Sequence, residues 1–500
     1  MAAMTPDGVL QLAALLSQKI QYRRTEIATN VAYYKGVEGR LRFASDDFRD
    51  YFQKRFSGFS DNWCMPVAQA PIERINHLGV RLPGQSTADE GSARRWERND
   101  ANRGLSEALL MMTVAKRSFG LVSPSPAGAR YTFEHPDSAA VVYDAQTRER
   151  RAGLALWQDE KTEFASLYLP GSVLSLRREK YAVDGGERYV APDAQGWQFD
   201  TMKDLIEVRN PLGVVPLIEF RNQALLDNDP ISDIAGVCAM QDTINLIWAY
   251  LLNGLDTSSL PGRVVMGIDT PREPILDETG QVIGDRPIEI DRLIRDRVAF
   301  LGEGATIGEW TASNLDVFSK VIEHAVEHIA AQTRTPGHYL LTGSNVPATG
   351  YEIAEAGLTS KALERISYAS PEVREMHRLG AIADGETAQA EKIAVGKMLW
   401  KKPQYRSESQ LMDGLGKMRT AGFPFQWIAE EYGLDPLEVD RVMQMVRDEA
   451  SDPYLNPLPP PVTPSPVTPQ APPMPAPVMP KPMSKPKGMP DVHPVPAVVG

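Results

Sequence analysis

The sequence predicts an α+β protein, mainly helical, with a β-rich segment in its first half and a disordered proline-rich C-terminal tail. Three observations predict this. Apolar residues recur at helical spacing near the N-terminus, around 231–255, around 313–335 and beyond 350. Between 130 and 222 short apolar runs alternate with turn residues instead. Of 40 prolines, 18 lie between Pro453 and Pro496.

Length and composition set outer bounds. At roughly 150 residues per domain, 500 residues make about three domains, and 42% hydrophobic residues supply sizeable cores. Cys64 and Cys238, the two cysteines, stand far apart in sequence, which excludes a disulfide scaffold and a cysteine-based zinc site and points to a reducing compartment. The net charge of −12 disfavours tight non-specific nucleic-acid binding, because phosphate neutralisation needs a basic surface. No signal peptide is expected, since Lys19, Arg23 and Arg24 follow the first apolar stretch. The most apolar run, Ile234 to Leu255, contains Gln241, Asp242, Asn245 and Asn253 and is too polar for a membrane span. The chain is expected to be soluble and intracellular.

The elements follow in order. Leu12, Leu15, Leu16 and Ile20 form the stripe of a first helix. Pro71 is expected to start a short helix holding Ile72, Ile75 and Leu78. Another helix is expected from Arg103 to Phe119, with Leu105, Leu109 and Met112 inward. From Tyr131 onward the runs Ala139–Tyr143, Leu154–Trp157, Ser166–Leu169 and Val173–Leu176 read as antiparallel strands, separated by turns such as Pro170-Gly171 and Asp184-Gly185-Gly186. Asn210-Pro211-Leu212-Gly213-Val214-Val215-Pro216 closes this segment. Asp229-Pro230 reads as a helix start, with Asp as cap and Pro in the first turn. The helix, roughly 231–254, then carries Ile234, Val237, Cys238, Ile244, Trp248, Leu251 and Leu255 on its apolar face.

Residues 263–310 read as a compact unit with strands Arg263–Ile268 and Arg297–Phe300, holding ten acids, six arginines and no lysine. Ser313-x-x-Asp316 is a capping box that opens a second long helix, with Leu315, Phe318, Ile322, Ala325 and Ile329 inward. A loop follows, and Thr349-x-x-Glu352 opens a further helix reaching toward Tyr368. The stretch 371–450 reads as helical with short breaks. The tail buries too little apolar surface to offset chain entropy and is expected to be disordered and locally polyproline-like, a form that proline-binding modules recognise.

Two motifs invite chemistry. His324-Ala325-Val326-Glu327-His328 has the spacing that places two imidazoles on one helix face to share a zinc ion, with Glu327 beside them to activate water. The same spacing is what a solvated helix face shows, and no third ligand is marked. Gly422-Phe423-Pro424-Phe425 through Val442 has helix-turn-helix form, but Glu438, Asp440, Asp448 and Glu449 on its second helix would be repelled by phosphates. Gly302-x-Gly304-x-x-x-Gly308 lacks dinucleotide-site spacing. No P-loop and no Gly-x-Ser-x-Gly elbow occurs.

Several stretches together resemble the portal proteins of tailed double-stranded DNA bacteriophages, of the siphophage type. They are Tyr33-Tyr34-Lys35-Gly36, Asn62-Trp63, Ala70–Leu78 with Gly79-Val80-Arg81-Leu82, and Trp96-Glu97-Arg98-Asn99 before the 103–119 helix. Further along come Asn210–Leu217, Asp242-x-x-Asn245, Thr335-Pro336, Thr349-Gly350-Tyr351-Glu352 and Gly422-Phe423-Pro424. Thr349-Gly350 departs from the Ser-Gly of the pattern. The order of these pieces over roughly 10–450 carries the resemblance, and the tail lies outside it.

The resemblance implies a portal fold: a wing (1–230), a first stem helix (231–255), a clip (256–312), a second stem helix (313–335), a tunnel loop (336–349), a long helix with a helical crown (350–450) and the tail (451–500). It implies a ring, usually of twelve subunits, at one capsid vertex, without catalytic residues, metal or cofactor. Double-stranded DNA passes through without tight binding during packaging and ejection. The implied partners are the large terminase subunit, head-completion or adaptor proteins, and the major capsid and scaffolding proteins, with no membrane. The implied location is the virion, with the host cytoplasm during assembly. His338, Tyr339, Leu340, Leu341, Ser344, Asn345 and Val346 are then expected to face DNA. Asp269, Glu273, Asp277, Glu278 and Asp285 are expected to dock partners or line the channel, where acidic walls keep phosphates mobile. Two alternatives remain: a zinc-dependent peptidase on His324, Glu327 and His328, and a scaffold that uses its tail as bait.

Overall fold

A computed structural model describes residues 5–37, 41, 43–55, 59–85, 87–183, 188–203, 205–226, 229–259, 263–266, 272–276, 280–287, 306–309, 315–340, 355–404, 408–434 and 436–451. They form a mixed helix-and-strand protein. Met1–Met443 make one compact unit. Gln444–Gly500 make a second, in which the described residues are helical.

Helix α1 spans Pro6–Lys35. Thr5 caps it by accepting the Gly8 N–H, and Pro6 fits the first turn. Its buried stripe is Val9, Ala13, Leu16 and Ile20, whereas Leu15, read as inward, is 53% exposed because it is one residue off that stripe. The helix ends at Gly36, whose φ of +65° requires glycine, and a Cβ there would also meet Asn62 at 3.0 Å. Helix α2 covers Asp46–Arg55 and α3 covers Cys64–Ile72. Pro71 lies near the end of α3 rather than at its start, and Leu78 belongs to strand β1, His77–Arg81.

Helices α4 (Glu90–Arg98) and α5 (Ala101–Ala115) follow. The expected extension of α5 to Phe119 fails at Lys116, whose φ of +72° turns the chain into strand β2, Arg117–Ser123. Phe119 is fully buried there. The antiparallel segment holds β3 (Arg130–Glu134), β4 (Ala139–Tyr143), β5 (Arg150–Gln158), β6 (Thr162–Tyr168) and β7 (Ser172–Glu179). Short strands β8 (Tyr181–Ala182), β9 (Tyr189–Val190), β10 (Gln198–Phe199) and β11 (Glu207–Arg209) follow, then β12 (Leu217–Arg221). One sheet runs β10-β7-β6-β5-β4 with β11 also on β7, and a second runs β12-β2-β3. The expected Asp184-Gly185-Gly186 turn lies outside the described residues.

Helix α6 spans Cys238–Ser259, so it begins well after Asp229-Pro230. Pro230 instead bridges Ala224. Tertiary bonds hold the intervening segment out of the helix: Ser232 Oγ donates to Val114 O at 2.7 Å, and Asp233 is claimed by Arg365. Strand β13 (Arg263–Met266) pairs with β16 (Thr306–Glu309), and β14 (Arg272–Leu276) pairs with β15 (Val282–Pro287). The expected strand Arg297–Phe300 lies outside the described residues.

Helix α7 spans Asp316–Thr333 with Leu315 at its cap position and no side-chain cap bond, while Ser313 lies outside the description. A single turn, α8, covers Gly337–Leu340. Helix α9 covers Ala356–Ala383 and continues through Pro371, beyond the expected end near Tyr368. The Thr349-x-x-Glu352 box lies outside the description, and Glu355 holds the cap position of α9. After α10 (Thr387–Ala394), strand β17 (Lys397–Trp400) pairs antiparallel with β1, where helix had been expected. Helices α11 (Glu408–Thr420), α12 (Phe425–Tyr432) and α13 (Pro436–Ser451) complete the description. The proline-rich tail lies outside it.

Three of the hydrophobic clusters join the main elements. Helix α9 packs its Val373, Met376 and Leu379 with Leu109, Met112 and Phe220. Helix α1 covers the β4–β7 sheet through Leu16 and Ile20 against Leu154, Leu167 and Leu176. Helices α3, α6 and α7 meet through Val67, Ile244, Val326 and Ile329. Among the described residues no helix is long and apolar enough to cross a membrane.

Candidate functional site

The chain leaves α6 and returns along α7 at one place. A Cβ on Gly254, near the end of α6, would lie 2.9 Å from Leu315 Cδ2, just before α7. At the opposite ends, a Cβ on Gly236 would lie 2.9 Å from Gln332 Nε2. The two helices are therefore antiparallel, and the segment 260–314 departs from and rejoins their paired ends.

The root of α6 is held by polar bonds that explain two of the sequence motifs. The Trp63 N–H donates to Gln241 Oε1 at 2.7 Å, and the indoles of Trp63 and Trp248 both donate to Asp61 Oδ2, at 3.0 and 2.8 Å. Asn62 Nδ2 donates to Tyr34 O at 2.7 Å, and the Tyr33 hydroxyl reaches the Asp242 carboxylate. The Asn62-Trp63 and Asp242-x-x-Asn245 motifs are thus held through their neighbours, Gln241, Tyr33 and Asp61, whose N–H donates to Asn245 Oδ1 at 3.4 Å. Each buried polar group has its partner here, which makes the helix root costly to shift.

In the segment between the helices, Glu273 and Arg286 face each other across the β14–β15 hairpin and form an ion pair. Glu273 is therefore a neutralised acid, not an open one. Asp285, opposite Pro274, is exposed. Asp269, Asp277 and Glu278 lie outside the described residues.

The stretch after α7 departs from expectation in its first residues. Leu340 is 6% exposed and packs in the α3–α6–α7 cluster, so it cannot face a passing duplex. His338 Nε2 sits 3.2 Å from Glu355 Oε1, and Arg74 bonds both Glu355 Oε2 and Tyr339 Oη, each at 2.8 Å. His338, Tyr339 and Leu340 are anchors that pin one end of the loop to the body. Leu341, Ser344, Asn345 and Val346 lie outside the description. Arg74 carried no signal in sequence, because its partners stand on remote elements.

His324, Glu327 and His328 all lie on the exposed side of α7, with His324 Nδ1 3.2 Å from Glu327 Oε2. Among the described residues no group of three or more His, Cys, Asp or Glu is arranged to hold a metal. Among the described residues the geometry gives the peptidase reading no third ligand.

Two further charged sites escaped the sequence reading. Asp233 is buried between Arg365, at 2.6 Å, Lys361, at 3.3 Å, and Asn222 Nδ2, at 2.8 Å. Burial works to raise its carboxyl, but the charges of Lys361 and Arg365 outweigh burial and hold it below the ordinary range. This network ties the segment before α6 to α9. A cleft between the sheet and α9 is lined by Tyr143, Arg150, Arg221, Glu372, Glu375 and Arg378. Glu375 pairs there with Arg150 and Arg378, while burial pushes Glu372 up to about 7.

No protein-family model matches the chain. Curated relatives do match it. The portal protein of Mycobacterium phage L5 is 24% identical over 195 residues, 37% of this chain and 38% of that protein. The portal protein of Mycobacterium phage D29 is 26% identical over 159 residues, 30% of each chain. The matches thus span well under half the length of these relatives. Among solved structures, the neck of a native gene transfer agent (GTA) particle computed with C12 symmetry overlaps 81% of this chain and 98% of its own, at 14% identity and a TM-score of 0.42. The neck of an empty GTA particle computed with C6 symmetry overlaps 78% of this chain and 94% of its own, at 13% identity and a TM-score of 0.43. At such scores the overlap carries no argument. The chain is similar to mycobacteriophage portal proteins, in agreement with the resemblance carried by its motifs.

Proposed function

We propose that this chain is a portal subunit, which assembles into a ring at one capsid vertex and forms the channel through which double-stranded DNA is packaged and ejected. The observation that carries the reading is the antiparallel return of α7 along α6, with Gly254 beside Leu315 and Gly236 beside Gln332. Two rods that bracket a small strand-bearing segment are suited to repetition about an axis. The portal proteins among the relatives support the same reading.

In this reading 1–230 is the wing, α6 and α7 are the stem, 256–312 is the clip and the helices after 350 form the crown. Cyclic closure requires heterologous contacts, one face of each subunit meeting a different face of the next. The ring has twelve copies, as the resemblance implies. The clip docks the large terminase subunit during packaging and head-completion proteins afterwards, while the outer body meets capsid and scaffolding proteins. Assembly takes place in the host cytoplasm and the product resides in the virion.

The charge has a task in this reading. Helix α7 carries exposed Asp316, Glu323 and Glu327 against Lys320. An acidic wall repels phosphates and offers no counterion-release affinity, so the duplex stays mobile. The tunnel loop contributes its distal residues, Leu341, Ser344, Asn345 and Val346, while His338, Tyr339 and Leu340 anchor its base. No side chain is assigned catalysis.

The test is negative-stain imaging with native mass measurement of the purified chain. A ring with a central hole, at a multiple of the 55.2 kDa subunit mass, is expected. A metal-bearing monomer would support the peptidase instead, and a metal-free monomer a scaffold. Tight retention of duplex DNA by the ring at physiological salt would overturn the acidic-channel account.

A further inference from the structure

The two cysteines, remote in sequence, meet in the fold. Cys64 is the first residue of α3 and Cys238 the first residue of α6. Both belong to the cluster that joins α3, α6 and α7, beside Tyr33, Val67, Ile234 and Val237. Cys64 is fully buried and Cys238 is half-buried, and both stand as thiols. The Cys64 side chain hydrogen-bonds the Cys238 sulfur, and Cys238 Sγ also donates to Ile234 O at 3.2 Å.

We infer that Cys64 and Cys238 form a closable dithiol, a modification site at which a small-molecule disulfide such as oxidised glutathione installs one covalent staple between α3 and α6. Two thiols could serve only as small apolar fillers. Two features point past that role. They are the only cysteines of a 500-residue chain, yet they face each other. One of the two, Cys238, is only half-buried.

The order of reaction follows from accessibility. The hydrogen bond to Cys238, together with burial, holds the Cys64 thiol well above its ordinary range, so half-exposed Cys238 reacts first. Its thiolate attacks one sulfur of oxidised glutathione, breaking that S–S bond and expelling one glutathione thiolate. Cys64 then gives up its proton and attacks the Cys238 sulfur of the mixed disulfide, expelling the second glutathione. The protein loses two protons and two electrons, and one oxidised glutathione becomes two reduced ones. The thiols persist where glutathione is kept reduced and close in an oxidising medium. Closure fastens the start of α6, the helix leading into 256–312, to α3.

The experiment incubates the native full chain with oxidised glutathione, quenches with an alkylating agent, and reads intact mass, non-reducing peptide maps and melting temperature. The expected result is loss of two hydrogens, alkylatable thiols falling from two to zero, and a Cys64–Cys238 peptide pair within one chain. Melting temperature should rise and return on reduction. C64S should stop at a glutathione adduct on Cys238, and C238S should stay unreacted. A persistent glutathione adduct on wild-type Cys238 with Cys64 still a thiol would overturn the proposal. So would a cross-link only between chains, or no reaction. None of these readouts depends on ring formation, so failure here and failure of the portal reading are distinguishable.

Discussion

Tyr33 donates its phenolic hydroxyl, bifurcated, to the two carboxylate oxygens of Asp242, at 3.0 and 2.9 Å, and Asp242 is completely buried. The bond crosses from the last turns of α1 to the first turns of α6. Tyr33→Phe keeps the ring and removes one donor from a buried carboxylate, which costs about 1–3 kcal/mol. Urea denaturation should show this as a lower midpoint with an unchanged slope. A midpoint equal to wild type would mean that the hydroxyl does not hold the helix root.

Helix α9 approaches strand β3 so closely that a Cβ on Gly380 would fall 1.9 Å from the Tyr131 hydroxyl. Tyr131 is itself buried in the main cluster and cannot retreat. Gly380→Ala should destabilise by about 1–3 kcal/mol through overpacking. Gly357 lies on the same helix, but its Cβ would meet Arg334 at an ordinary 3.4 Å. Gly357→Ala should therefore be neutral or stabilising by up to about 1 kcal/mol from helix propensity. Opposite shifts in melting temperature for the pair are the expected reading.

Burial raises the Glu372 carboxyl from 4.5 to about 7, against the smaller opposing effects of its own backbone and of Arg221. Its folded value exceeds its unfolded value, so the folded state holds the extra proton between them. The contribution is full below pH 4.5 and is lost as pH rises toward 7, by up to about 1.4 kcal/mol per pH unit. Glu372→Gln should remove that slope. Unfolding free energies of both proteins at pH 5, 6 and 7 test it, and parallel curves would refute the buried-carboxyl account.

His77 and His377 face each other with Nε2 atoms 3.0 Å apart, both buried beside Trp96. Burial pushes His77 down to about 3, and burial with the neighbouring His77 also lowers His377. Here the unfolded state takes up protons first. The stability is present above pH 6.5 and is lost as pH falls, about 1.4 kcal/mol per pH unit for each imidazole. Between pH 5 and 6 this opposes Glu372. Glu372→Gln should therefore steepen the acid loss, whereas His77→Gln should flatten it in the same denaturation series.

These contacts mark what the sequence could and could not disclose. Strand Ala139–Tyr143 was legible to the residue, because a short apolar run between turns is a local signal. So was the order of a long helix, a strand-bearing segment and a second long helix, though not where either helix begins. The α5 boundary was not, because helical apolar spacing ran on past Lys116 and only its left-handed backbone ends the helix. Strand β17 was hidden because its partner β1 lies more than three hundred residues away. Arg74, Asp233, Lys361 and Arg365 carry no motif, since each is defined by a partner that only the fold supplies. In the loop, the resemblance implied that 338–346 face DNA, while Leu340 turned out to belong to the core.

That division of the loop is itself testable. Leu340 packs with Val67, Ile244 and Val326, so Leu340→Ala should cost about 2–5 kcal/mol and lower the melting temperature. Arg74→Gln removes the charge that joins Tyr339 to Glu355 and should weaken the same anchor. The distal residues have another task in the portal reading, so Asn345→Ala with Val346→Ala should leave folding and ring mass unchanged and alter DNA retention in packaged particles. If the distal pair lowers stability as Leu340→Ala does, the loop is structural throughout. If it changes neither stability nor retention, the tunnel-loop role falls, because the anchors would then be holding a connection and nothing more.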